Sequence, residues 1–292
     1  MTTTVPDWAK KASDQPWLQV SIAPALYAGP TQDTERAIRP LVDAGAVRLD
    51  DGHGNQLIIS PDSRVRLGVE PETDNTMWKV AVHESPNLPA LWTVTLTEST
   101  PVEVVEAITT DLANRLRTGA RLSGGADDDE WPTPLHAHGW TLAWDAATQT
   151  KTARSERHPQ STIVLNARDH LGPDEWEEAE DAFWSINVAG DHDGWAAAAS
   201  ISTPDQILYA MVSAMLAPAI RDIGDLNELA VSASLAGSAE LTELSSSPTP
   251  QGARRAQAAS ARSRLHSPVG EPFAQPAPAP PAARPATPGP SR

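Results

Sequence analysis

One pattern occurs twice in this chain and constrains its fold more than any other feature. The segments "WTVTLTESTPVEVVEA" (92–107) and "WAAAASISTPDQILYA" (195–210) share a tryptophan, an extended run, a Thr-Pro pair and a helix-like pattern. Trp92 aligns with Trp195, and Thr100 aligns with Thr203, at the same offset of 103 residues. The repetition predicts two copies of one strand-to-helix unit.

Three shorter similarities precede each copy in the same order. The aligned blocks are "MWKVAV" (77–82) with "FWSINV" (183–188), "SPDSRVRL" (60–67) with "HPQSTIVL" (158–165), and "PLVDAGA" (40–46) with "PLHAHGW" (134–140). Because the spacing changes only between blocks, they indicate an internal duplication with insertions in loops. Gly45 and Gly139, which are aligned, predict helix ends closed by a left-handed residue.

Local patterns within the blocks predict the fold class. Segments such as "RVRLGV" and "ALWTVTL" alternate apolar and polar residues, the period of half-buried strands. Each Thr-Pro pair predicts a helix start, and Glu103 and Gln206 stand at the position that completes a capping box. We therefore expect an α+β protein of two pseudo-equivalent units, each a small antiparallel sheet followed by a capped helix. Whether the two sheets merge or stand apart stays open.

Composition predicts where the folded units begin and end. From Ser245 onward the chain is rich in Pro, Ala, Ser and Arg, so it cannot bury enough apolar surface to offset its chain entropy. The predicted sections are a flexible N-terminus (1–16), a first unit (17–118), an acidic Gly/Asp linker (119–130), a second unit (131–220), a further helical segment (221–244) and a disordered tail (245–292).

The charge is unevenly distributed. Six of the 22 Lys and Arg residues but only one of the 38 Asp and Glu residues lie in 251–292, so the rest of the chain is strongly acidic. An acidic body repels phosphate backbones, which disfavours nucleic-acid binding by the folded part. Without cysteine there are neither disulfides nor thiolate metal sites. With no signal-peptide core and no long apolar run, we expect a cytoplasmic protein that does not associate with membranes.

Taken together, the blocks resemble an actinobacterial family known only as domain of unknown function 317. The resemblance rests on "SPDSRVRL", "MWKVAV", "ALWTVTLTESTPVEVVEA", "GWAAAASISTPDQILYA" and "VSIAPALYAGP", and it covers roughly residues 17–220. The chain departs from the family pattern at "HPQS" in the second turn and at "WTVTLT", which lacks an alanine after the tryptophan. The resemblance implies two tandem copies, a streptomycete origin and a mobile-element context, and it implies no catalytic residue.

Histidines and carboxylates form the candidate chemical sites. His136 and His138 form a His-x-His pair, and His170 and His192 could join them only through folding. "GDHDG" (190–194) and "DDGHGN" (50–55) place aspartates beside a histidine, but no nucleophile motif accompanies them, and hairpin turns explain them better. The acidic run "ADDDE" (126–130) lacks the ligand spacing of a calcium loop. The sequence therefore predicts no catalytic residue, no metal and no cofactor.

Tryptophans form the candidate contact sites. Trp78, Trp92, Trp184 and Trp195 stand on strand-like segments at equivalent positions, where core packing is favoured; the alternative is a stacking surface for single-stranded nucleic acid. Trp176, amid carboxylates in "DEWEEAED", is predicted to be a contact residue.

These observations lead to one expected function and two alternatives. We expect a non-enzymatic binding protein that recognises an unidentified protein partner. The first alternative is a nucleic-acid-associated protein of plasmid or phage biology that uses the sheet tryptophans and the basic tail. An enzyme built on His136, His138, His170 and His192 is the second alternative. The sequence leaves the oligomeric state open.

Overall fold

A computed structural model describes most of the predicted folded region. The described residues are 18–30, 33–70, 76–123, 132–147, 150–157, 159, 161–166, 184–188, 194–200, 202–222 and 240–245. The predicted flexible N-terminus (1–16), the acidic run 126–130, Trp176, His170, His192 and residues 246–292 lie outside them.

The described residues form strands, four α-helices and one short 3-10 helix. The strands are β1 (Gln19–Ala23), β2 (Val47–Asp50), β3 (Gln56–Ile59), β4 (Val65–Val69), β5 (Thr76–His83), β6 (Ala90–Thr97), β7 (Trp140–Asp145), β8 (Thr150–Ser155), β9 (Ser161–Asn166), β10 (Trp184–Val188), β11 (Trp195–Ala199), β12 (Ala219–Asp222) and β13 (Glu240–Ser245). The helices are α1 (Thr34–Asp43), α2 (Val102–Thr118), α3 (Thr133–Ala137) and α4 (Asp205–Leu216), with the 3-10 helix at Ala25–Tyr27.

Ten strands form one antiparallel sheet in the order β2-β3-β4-β5-β6-β11-β10-β9-β8-β7. The first five strands of the sheet follow one another along the chain, and so do the last five, in the mirrored order. Each half consists of a helix, five strands and a second helix. The α+β class is confirmed, and the question of the two sheets is answered: they merge through β6 and β11.

The helices lie on one face of this sheet in an order that follows the strands. Helix α1 packs on α2, α2 on α4, and α4 on α3. Arg48 of β2 forms an ion pair of 2.7 Å with Glu35 of α1, which identifies the helix-covered face. Ile58, opposite Arg48 in the register, is fully buried on that face. The core therefore lies between the helices and alternate residues of each strand.

A second, three-stranded sheet joins the two ends of the described chain. Its order is β12-β1-β13. The predicted helical segment 221–244 is therefore wrong at both ends, since Ala219–Asp222 and Glu240–Ser245 are strands; 223–239 lie outside the described residues. The physical reason is tertiary pairing: β12 and β13 form hydrogen bonds with the two edges of β1, which lies about 200 residues earlier in the sequence, and this pairing overrides the local helical pattern.

The helix starts differ from the predicted capping boxes. Helices α2 and α4 follow Pro101 and Pro204, and neither start carries a side-chain capping hydrogen bond. Thr100 and Thr203 are buried instead, at 2% and 6% exposure. The prediction that these two helices are capped by the threonine side chains is therefore wrong. The prediction of glycine-closed helix ends is confirmed by Gly45 and Gly139, with φ of 92° and 78°.

Candidate interaction surface on the open sheet face

The joint between the two halves is built by equivalent residues of the repeated segments. The backbone N–H of Ala196 donates to Thr97 Oγ1 at 2.9 Å, and the backbone N–H of Thr93 donates to Ser200 Oγ at 2.9 Å. Thr97 and Ser200 are separated by the same 103 residues as the aligned tryptophans. Thr100 and Thr203 lie 3.5 Å and 3.4 Å from these two hydroxyls. The repeated segments therefore bind one another.

The four sheet tryptophans belong to the core. Trp78, Trp92, Trp184 and Trp195 are 1–3% exposed. Trp92 Nε1 donates to the carbonyl of Leu122 at 2.8 Å, and Trp195 Nε1 donates to the carbonyl of Leu26 at 2.9 Å. Core packing, the favoured interpretation, is thus confirmed. A stacking or contact surface made by these side chains does not form in this fold, because their faces are covered.

The opposite face of the ten-stranded sheet, here called the open face, carries mostly short side chains. One row crosses the sheet through residues that are half-buried or exposed: Leu57, Gly68, Lys79, Thr95, Ala198, Ser185, Val164, Thr152 and Ala143. Among the strand residues described on this face, Arg66, Lys79 and Arg154 are basic and Asp145 is acidic. The face is therefore neutral to basic on an acidic protein.

One edge of the open face carries an apolar cluster, here called the apolar quartet: the exposed Val47, Leu49 and Leu57 and the half-buried Ile59. Val47 lies opposite Ile59, and Leu49 lies opposite Leu57, in the β2–β3 register. Val47, Leu49 and Leu57 are exposed by 57%, 51% and 38%. Exposed apolar residues that adjoin in this way are typical of interaction sites.

The other edge carries short or polar side chains at the corresponding positions. Thr141 of β7 follows Gly139 at the distance by which Val47 follows Gly45. Thr141 lies opposite Arg154, and Ala143 lies opposite Thr152. The sequence did not single out the quartet; its only signal was the alternation of apolar and charged residues in "VRLD".

A partly buried ion cluster connects the small sheet to the first half. Arg221 of β12 forms hydrogen bonds with both carboxylate oxygens of Glu103, and Arg36 contacts the same carboxylate at 2.8 Å. Arg36 also pairs with Glu106 at 2.7 Å. Burial acts to raise the pKa of the Glu103 carboxyl, but the hydrogen bonds and charge of Arg221 outweigh it and hold the pKa below its ordinary value. The cluster anchors β12 to the first turn of α2.

The histidines do not assemble into a site in the described residues. His136 lies on α3, and His138, just beyond the helix, contacts the Pro134 carbonyl through Nδ1 at 2.8 Å. Within the described ranges, no group of three His, Asp or Glu residues could hold a metal ion. The "DDGHGN" segment is the predicted hairpin turn, in which Asp51 accepts hydrogen bonds from the backbone of His53 and Asn55.

Comparison with known proteins finds one family match. Residues 59–116 match the family described as SPDY, a domain of unknown function (DUF317). The match runs from the end of β3 through most of α2 and lies within the first half. No curated protein and no solved structure matches the chain. None of the described helices has the length and apolar character needed to cross a membrane.

Proposed function

We propose that this chain is a non-enzymatic binding protein that recognises a protein partner through the open face, with the apolar quartet as the anchor. The observation that carries the proposal is the exposure of Val47, Leu49 and Leu57 by 38–57% on adjacent strands. Leaving such side chains in water costs free energy that docking recovers, at about 25 cal/mol per Å² of apolar surface covered. Apolar contacts of this kind form the centre of protein interfaces.

The two halves are further proposed to be tandem copies of one actinobacterial unit. Their shared order of helix, five strands and helix supports this, as do the equivalent hydroxyls of Thr97 and Ser200. The sheet register refines one alignment. Val69 lies opposite Trp78, and Leu165 lies opposite Trp184, which is an offset of 96 residues rather than the 98 given by aligning "SPDSRVRL" with "HPQSTIVL".

Partner capture with matched variants tests the proposed contact surface. The test variant carries Val47→Thr and Leu49→Thr, and the control carries Thr141→Ser and Ala143→Ser on the opposite edge. Proteins captured from an extract of the source cells are quantified by mass spectrometry. We expect at least one protein to be captured by the wild type and the control but depleted about tenfold by the test variant. Identical capture profiles for all three chains would reject the quartet as the anchor.

The nucleic-acid alternative is favoured by one observation, the three basic side chains on the open face. Because the sheet tryptophans are buried, it depends on charge rather than stacking. Fluorescence anisotropy with labelled single- and double-stranded DNA at low and moderate salt tests it. The variants are Arg66→Gln/Lys79→Gln/Arg154→Gln and a chain whose six arginines in 251–292 are glutamine.

The pattern of losses distinguishes the possible contact regions. Salt-dependent binding lost with the triple variant assigns contact to the open face, and loss with the arginine variant assigns it to the tail. No binding by the wild type would end this alternative.

A further inference from the structure

Strand β2 lies at one edge of the ten-stranded sheet, and in the described part of the chain it pairs with β3 alone. The backbone N–H of Asp51 donates to the carbonyl of Asn55, so these two residues form a hydrogen-bonded pair of the antiparallel ladder. In such a ladder, every second residue of a strand directs its backbone groups toward the same neighbour. It follows that Val47 and Leu49 direct their backbone groups toward β3, whereas Arg48 and Asp50 direct theirs outward. An edge of this kind can receive another strand.

The side chains of β2 specify which strand fits that edge. In an antiparallel pair of two β2 strands with Leu49 opposite Leu49, Arg48 of one copy faces Asp50 of the other, twice. This register also brings together the outward backbone groups of residues 48 and 50 as hydrogen-bonded pairs. Opposite charges across a ladder are favourable, whereas the neighbouring register places Arg48 opposite Arg48.

We propose that a second copy of this chain pairs with the first through β2, antiparallel and centred on Leu49. The inference rests on the proposed function in one respect, that the quartet is a contact surface. The pair joins two ten-stranded sheets into one and brings the two quartets side by side. One apolar row then crosses the shared open face, formed by Leu57 and Leu49 of one copy and by Leu49 and Leu57 of the other.

Neighbouring groups on the helix-covered face are compatible with this pair. Arg48 already contacts Glu35, with 38% of its side chain exposed, so the guanidinium has donors left for a second carboxylate. Asp50 accepts a hydrogen bond from the backbone of Gly52 through one oxygen, which leaves the other oxygen available for Arg48 of the second copy. The opposite edge differs, because β7 carries Thr141 and Ala143 where β2 carries Val47 and Leu49, so a pair through β7 would form no comparable apolar row.

Sedimentation equilibrium of the full chain and its charge variants tests the proposal. We expect a reversible dimer whose dissociation constant rises about tenfold or more with Arg48→Asp or with Asp50→Arg, because each change sets like charges against one another at both ends of the pair. An equimolar mixture of the two variants restores dimerisation, since each charge then faces its opposite. Asp145→Arg on β7 is the control and leaves the equilibrium unchanged.

Several results would overturn the proposal. These are a wild-type chain that stays monomeric at all concentrations, a dimer insensitive to both charge changes, and a mixture that does not associate. Circular dichroism checks that the variants fold; should either variant unfold, Leu49→Lys, which opposes two ammonium groups at the centre, replaces it and must weaken the dimer. The two proposals can also be separated. If the wild type is monomeric but the Val47→Thr/Leu49→Thr variant fails to capture a protein that the wild type captures, the dimer is rejected and the proposed function stands.

Discussion

The two halves of the sheet are alike where they meet and unlike where they end. At the joint, Thr97 and Ser200 accept equivalent backbone hydrogen bonds, and Trp92 and Trp195 occupy equivalent buried positions. At the outer edges, an apolar quartet on β2 and β3 corresponds to short or polar side chains on β7 and β8. Residues that hold the halves together are alike in the two segments, whereas residues at the solvent-facing outer edges differ. This difference is why the proposed contact surface is assigned to the β2 edge.

The same contrast appears at the starts of α2 and α4. Glu103 lies in a partly buried ion cluster with Arg221 and Arg36, whereas Gln206, at the same offset of 103 residues, is exposed. The first half thus carries an ionic anchor for the end of the chain that the second half lacks at the equivalent position.

The largest expected effect tests the likeness of the halves at the core. Trp92→Ala and Trp195→Ala should each lower the free energy of unfolding by about 4 kcal/mol, because each removes a large buried side chain and leaves a cavity. Urea denaturation followed by circular dichroism measures the loss. Trp144→Ala, at a side chain 52% exposed, is the control and should cost far less. Equal losses support equivalence; a small loss for Trp195→Ala alone would break it.

The next effect tests the ionic difference between the halves. Glu103→Gln should lower the free energy of unfolding by about 3 kcal/mol at neutral pH, because it leaves Arg221 buried without its full counter-charge. Gln206→Glu, at the equivalent exposed position, should change stability little.

The pH dependence of the same variant has a defined sign. Since the folded pKa of Glu103 is lowered, its contribution is present above the unfolded pKa and is lost as pH falls through the folded one. The difference in stability between wild type and Glu103→Gln should therefore shrink on acidification. A difference that grows in acid would contradict the assigned ion pair.

A smaller effect tests the joint itself. Thr97→Val and Ser200→Ala each remove the acceptor of one backbone N–H, so each should cost about 1 kcal/mol in the free energy of unfolding. Thr95→Val, on the same strand, lacks such a bond in the described structure and is the control. Unequal costs for Thr97 and Ser200 would show that one side of the joint contributes more. Thermal and urea unfolding of all three variants provide the measurement.

The smallest expected effect on stability is at the outer edge. Val47→Thr with Leu49→Thr should change the free energy of unfolding by only about 0.5 kcal/mol, because these side chains are already in water and threonine suits a strand. A loss several times larger would mean that the quartet supports the fold, and its role as a contact surface would then lose its basis.

The sequence predicted local structure and repeated order better than long-range pairing. Alternation predicted strands such as β5 and β6, and Gly45 and Gly139 predicted helix ends, because short-range geometry decides both. The strand at Ala219–Asp222 and the Glu103–Arg221 pair were missed, because their partners lie far away in sequence. The prediction of Thr-Pro capping boxes was wrong because the hydroxyls of Thr100 and Thr203 lie beside Thr97 and Ser200 at the joint between the halves. The quartet was missed because an edge position is a property of the whole sheet.

The two indole hydrogen bonds have a consequence for how this molecule can be cut. Trp92, in the first half, is held by Leu122, which precedes the second half; Trp195, in the second half, is held by Leu26, which precedes the first. A cut in the segment 124–131 therefore separates Trp195 from its acceptor at Leu26 but leaves Trp92 and Leu122 on the same fragment. Severing the chain between residues 124 and 131 should yield fragments that are incomplete alone and reassemble when mixed, and the intact protein should melt in a single step.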